Sequence, residues 1–218
     1  MKAQMSETKT IGIIMALSGG FMDAYTYLVR GEVFANAQTG NILLFGVNLS
    51  TGNLPGAARY FFPVFSFAAG VFVAQILRNH FKGTKKIHWR QICVLVEALI
   101  LFAVSMIGTD VNLIANSLVS FACGIQVQSF RKIRGNALAT TMCIGNLRTA
   151  TDFLCSYVEN RDREALRKSM MYFGVIGVFA LGAVLGNLFV MHFGTGAILF
   201  SSALLTASFV IMTFEKNY

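Results

Sequence analysis

Apolar residues in this chain come in long unbroken runs, not in the short alternating patches of a soluble domain. Six runs are long enough to cross a bilayer as helices, for which about 20 residues suffice. They are 11–29, 60–77, 92–107, 111–130, 170–191 and 197–214. Two others, 39–49 and 146–158, are shorter or interrupted by polar positions. Backbone groups in lipid must bond internally, so such runs form helices. The pattern predicts an all-α polytopic membrane protein with six transmembrane helices plus two re-entrant or short half-helices, in a single membrane domain over 1–218.

The order of small and polar positions occurs twice, about 104 residues apart. Gly20, Arg30-Gly31 and Gly40-Asn41, the last at the head of Ile42-Leu43-Leu44-Phe45, return as Gly124, Arg134-Gly135 and Gly145-Asn146 before Leu147. Phe67-Ala68, Gly70 and Ala74-Gln75 return as Phe179-Ala180, Gly182 and Gly186-Asn187. This predicts a duplicated module with halves near 10–108 and 111–214. Duplicated membrane modules often build a pathway at their interface.

Lysine and arginine positions choose between two layouts, because they gather on the cytoplasmic side. If all eight segments cross, the eighteen basic residues divide almost evenly between the two sides. If the two short segments dip in and return, only Arg30 and Arg59 remain outside, and the run Arg78, Lys82, Lys85, Lys86 and Arg90 falls inside. The second layout gives each half three crossings and therefore opposite orientation. It predicts an inverted repeat with cytoplasmic N- and C-termini.

Composition agrees with a lipid environment. Hydrophobic residues make up 55% of the chain, charged residues 13%, and mean hydropathy is +0.61. The net charge of +8 would point to nucleic acid in a soluble protein. Here the basic residues lie between apolar runs and fix orientation, so no nucleic-acid partner is expected. The first apolar stretch continues into Gly19-Gly20 and Asp23 without a cleavage signature and reads as a retained span. Cys93, Cys123, Cys143 and Cys155 have no ligand spacing and read as small buried hydrophobes. His80, His88 and His192 lie at span ends, so no metal is expected. No cofactor motif or complete catalytic set occurs, and an enzyme is not expected.

Candidate chemistry concentrates at the short segments. Gln38-Thr39-Gly40-Asn41 combines an N-cap threonine with a glycine that admits close backbone approach, just before an apolar helical run. A half-helix starting there would present free N–H groups and a positive dipole end at membrane depth. Cys143-Ile144-Gly145-Asn146 would set the mirror-related end opposite, and two such ends suit a small polar or anionic solute. The competing reading is that both Gly-Asn pairs are helix-start turns. Asp23, deep in the first span, is a coupling candidate for a proton or cation, or else a hydrogen-bond anchor to the opposing hairpin. Its repeat partner is Val127, flanked by Gln126 and Gln128. Glu97 is a lone carboxylate in an apolar helix, either a second coupling site or a protonated acid bonded to a neighbouring helix or subunit. Arg148 and Asp152 stand at i, i+4 spacing that allows an ion pair. Gly70-x-x-x-Ala74 and Gly182-x-x-x-Gly186 permit tight helix contact, with Gln75 and Asn187 bonding across it.

The run Gly19-Gly20-Phe21-Met22-Asp23-Ala24, followed by Phe34 and Gln38-Thr39-Gly40-Asn41, resembles the YoaK family, small bacterial inner-membrane proteins grouped as a domain of unknown function. The resemblance covers essentially the whole chain. It implies a multi-pass protein of the bacterial inner membrane and assigns no substrate. In the second half the family pattern is Gly-x-Gln-Asn-Ala and then a threonine-rich stretch ending in Thr-Gly-Asn. Here the residues are Gly124-Ile125-Gln126-Val127-Gln128, then Thr140-Thr141 and Ile144-Gly145-Asn146. Ile144 in place of threonine leaves the second half-site either degraded or tuned to another solute.

These readings lead to a small-solute transporter or channel, its pathway between the tips at Gln38, Thr39, Gly40, Asn41 and at Gly145, Asn146, with Gln126 and Asp23 beside it. The alternative is a structural or accessory membrane protein acting with a partner. A water-filled cavity at Asp23 would favour the first, and a dry interior the second. Six crossings are few for a transporter acting alone, so a homodimer is plausible.

Overall fold

The computed structural model describes residues 8–81, 88–133 and 136–214. Eight α-helices carry the fold: α1 (Lys9–Val29), α2 (Gln38–Ser50), α3 (Leu54–Phe81), α4 (Trp89–Ser105), α5 (Asn112–Ser129), α6 (Cys143–Asn160), α7 (Arg163–Phe193) and α8 (Leu199–Phe214). A minimal antiparallel ladder, Lys132–Ile133 with Asn136–Ala137, lies between α5 and α6. The helices fall where the apolar runs predicted, and most begin a few residues earlier. Helices α1, α3, the stretch Thr109–Ser129 and the run Arg163–Phe214 are long and apolar enough to cross a membrane. α4 and α8, at 17 and 16 residues, are shorter.

The outer surface is apolar. Phe72 is 67% exposed, Met191 72% and Ile144 77%, an exposure that water would punish and lipid accepts. The enclosed helix is α1, with 61% of its apolar stretch buried against 22% in α3 and 17% in the run Arg163–Phe214. Phe21, Met22 and Tyr25 of α1 pack with Leu101 of α4, Val119 of α5 and Leu205 of α8.

Helix ends gather at two poles of the bundle. At one pole Arg30, just past α1, is fully buried. Its guanidinium donates to the Val104 carbonyl in the last turn of α4, to the carbonyls of Ile107 and Gly108 beyond it, to Asn112 Oδ1 at the start of α5, and to the Tyr25 hydroxyl. That hydroxyl donates in turn to the Thr195 carbonyl after α7. At the other pole Arg90 donates to the Ser129 carbonyl at the end of α5, and Gln91 to Thr213 near the end of α8.

The packing of α1 on α7 resembles that of α3 on α5. A methyl group at Gly20 of α1 would overlap the Phe179 carbonyl of α7, and one at Gly124 of α5 would overlap the Phe67 carbonyl of α3. Gly70 meets Phe121, and Gly182 meets Leu17, in the same way. Thus α1 runs against α7 and α3 against α5 at backbone contact, the close packing that small residues allow in lipid. Gln128 donates to Gln75 across the α3–α5 contact as expected, whereas Asn187 is exposed and does not repeat that bond. Arg134-Gly135 of the repeat, and Lys82, Lys85 and Lys86 of the basic run, lie outside the described residues.

Candidate functional site

The site is built by a chain reversal. Gly31 (φ 86°) and Glu32 (φ 59°) turn the backbone after α1, and the segment that follows runs back alongside that helix. Asn36 reaches α1 at two points: its backbone N–H donates to Asp23 Oδ1 at 2.6 Å, and its Nδ2 donates to the Gly19 carbonyl at 3.1 Å. Gly19 lies ten residues before Val29. At 1.5 Å per residue the tip has therefore descended about 15 Å, half the thickness of a bilayer core. α2 starts there. The Arg59 guanidinium, near the start of α3, lies over Gly31, so α2 leads back to the pole where α1 ends.

The second reversal arrives at the same level from the other side. A methyl group at Gly19 would overlap the Thr141 side chain, so the segment before α6 packs on the midpoint of α1 as Asn36 does. α6 then returns toward the start of α7, where Ser169 donates to the Ala150 carbonyl and Phe153 stacks on Tyr172.

Both tips carry the same asparagine staple. Asn41 binds Phe34 twice, accepting from its N–H at 3.0 Å and donating to its carbonyl at 2.7 Å, and also donates to Gln38 Oε1. Asn146 donates to the Ala139 carbonyl at 2.6 Å, again seven residues back. Gln38 Nε2 closes the first tip by donating to the Ala35 carbonyl. Gly40 sits under the Phe34 ring, where a Cβ would lie 2.8 Å from the ring edge. Gly145, by contrast, is exposed with open space around it.

Several sequence expectations are corrected. Thr39 is not the N-cap: α2 begins one residue earlier, Ala37 occupies the cap without a side-chain bond, and Thr39 is exposed in the first turn. The Asp23 carboxylate receives the Asn36 N–H, with those of Ala35 and Ala37 alongside, in the segment just before α2. Asp23 thus anchors its own hairpin, not the opposing one. Arg148 and Asp152 are exposed and are not bridged to each other. Among the described residues the salt bridge formed is Arg167–Glu164, at 3.8 Å. Cys143 is half-buried and Cys155 exposed, so only Cys93 and Cys123 behave as core residues.

Two acidic groups share the interior. Glu97, at the midpoint of α4, is fully buried, and neither oxygen has a hydrogen-bond partner, so the expected bond to a neighbouring helix is missing. The Cys123 thiol of α5 contacts Met22 Sδ of α1 at 3.8 Å. Gln126 donates to the Met15 carbonyl at 2.8 Å and leaves its own oxygen bare. Ser18, Ser120, Thr140 and Thr141 also keep buried hydroxyls without partners. Sequence reading missed Asn36, which joins the first tip to α1, and the buried hydrogen-bonding role of Arg30.

Two cavities open on the flanks. One of about 810 Å³ lies between α1 and α7, and one of about 320 Å³ lies beside Asn48, Asn53 and Arg59. Asp23 lines neither.

The chain is similar to a UPF0700 transmembrane protein, YoaK, of Bacillus subtilis (strain 168): 22% identity over 183 residues, covering 81% of each chain. No solved structure matches it. Residues 11–211 match the family described as "Protein of unknown function (DUF1275)", and with that span the chain belongs to this family of membrane proteins.

Proposed function

We propose that this protein is a small-solute transporter or channel with six crossings, and that α2 and α6 are re-entrant half-helices belonging to two inverted halves. The observation that carries the reading is the meeting of both hairpin tips at Gly19, the midpoint of α1. Irregular backbone at that depth is tolerated in lipid only where it is enclosed by protein or lines a cavity. Helix contacts that recur with exchanged halves, and the sorting of helix ends to two poles, support the inversion. Buried polar groups are normally paired, so the unpartnered oxygens of Thr140, Thr141, Gln126 and Glu97 are the groups a passing polar solute or its water would engage. Asp23 holds the α2 tip in place and gates or couples the movement. Glu97 is the second acidic group for coupling. The solute site then lies on the side of Thr141, Gly145 and Asn146, where the Thr140 and Thr141 hydroxyls are bare.

Purified protein in liposomes, offered a panel of small anions, amides and cations, tests this directly. A solute flux that Asp23→Asn and Gly40→Leu abolish is the expected result. Absence of flux across the panel would refute transport. Cysteine labels at Asn48 and Asn160 test the layout separately: each should be reached from the same side as the chain entering its hairpin. The accessory reading draws on one observation, that neither described cavity meets Asp23, and it expects an interior closed to water-soluble labels at Gly19 and Thr141.

A further inference from the structure

The larger cavity has the polarity of a phospholipid. Its lining on α7 follows one helical face, Arg163, Arg167, Met170, Gly174 and Val178, at steps of three and four residues. Over those fifteen steps the face runs about 22 Å, more than one leaflet of a hydrocarbon core. The basic end comes first. Arg163, Arg167 and Lys168 stand there with Lys9 of α1, against the single carboxylate Glu164. The Arg167–Glu164 pair is exposed at both ends and holds weakly, so it leaves the guanidinium available. Lys168 is steadied over the Phe153 ring at 5.4 Å. Deeper in, the wall is Ile13, Met170, Met171 and Val178, and Gly174 leaves open space where a side chain would fill the groove. With 31 residues, α7 is longer than a bilayer core requires, so its first turns reach the headgroup layer.

We propose that this groove holds one anionic glycerophospholipid, its phosphate among Arg163, Arg167, Lys168 and Lys9 and an acyl chain along Gly174. Basic pockets between membrane helices take acidic headgroups for this electrostatic reason. The proposal is independent of transport.

Native mass spectrometry of the full chain tests it, with the delipidated protein offered equal phosphatidylglycerol and phosphatidylcholine. One phosphatidylglycerol per chain should be retained, preferred by about tenfold or more. Each of Arg163→Gln, Arg167→Gln and Lys168→Gln should weaken retention by about fivefold. Gly174→Leu keeps every charge and fills the groove, and it should lose the lipid with an unchanged thermal midpoint. Excess inorganic phosphate should leave the lipid bound. Displacement by phosphate would make this a site for a soluble anion and overturn the proposal. Equal retention of phosphatidylcholine, full retention by Gly174→Leu, or a lipid-free pair of chains closed over this face would overturn it as well.

Discussion

The two hairpin tips share a staple and differ in what lies against the helix end. At the first, Asn41 grips Phe34 through both its N–H and its carbonyl, and the Asp23 carboxylate holds the Asn36 N–H just before α2. At the second, Asn146 holds Ala139 by a single bond, no side chain caps α6, and the repeat offers Val127 where the first half has Asp23. Thr140 and Thr141 beside it keep bare hydroxyls. The two tips follow similar backbone paths with different chemistry: the first is tied to α1 through Asp23 and Asn36, and the second keeps two bare threonine hydroxyls.

The largest test of that contrast is Asp23→Leu. It strands the Asn36 N–H, and it should cost about 3 kcal/mol in detergent unfolding, because hydrogen bonds to a buried carboxylate are the costly ones to lose. Val127→Leu, at the equivalent place, should cost under about 1 kcal/mol. Next come the staples. Asn41→Ala removes three bonds and Asn146→Ala one, so losses of about 2 and about 1 kcal/mol are expected from chemical denaturation. Equal losses would erase the asymmetry. The glycines should differ in sign. Gly40→Ala presses on the Phe34 ring and should lower the thermal midpoint, whereas Gly145→Ala meets nothing and should raise stability by up to about 1 kcal/mol through helix propensity. The smallest effect on stability belongs to Thr141→Val. It removes an unpartnered hydroxyl and should shift unfolding by about 0.5 kcal/mol or less while changing any measured flux.

Much of this architecture was legible because lipid imposes simple rules. Long apolar runs had to become helices, and α1, α3, α5 and α7 sit on the runs that announced them. Of the two short runs, one became α2 with 13 residues, and the other grew to the 18 residues of α6. Gly20 and Gly124, read as repeat markers, turned out to mark backbone contacts that leave no room for a side chain. The site was only partly legible. Asp23 stood out as a charge in a span, but its partner Asn36 lies in a polar loop whose path no periodicity encodes. Thr39 matched the chemistry of a cap, yet α2 starts at Gln38 with Ala37 in the cap position, a boundary set by the turn before it. Arg148 and Asp152 had the spacing for a pair, but on an exposed face such pairs gain little and these side chains stay apart.

Arg30 carries one more implication. A guanidinium that spends its donors on the tail of α4, the head of α5 and the tyrosine tied to the end of α7 acts as a rivet through that pole. Helices fastened there cannot splay one at a time. If the bundle rocks, the pivot is at this rivet and the widest swing is at the far pole, where α6 meets α7.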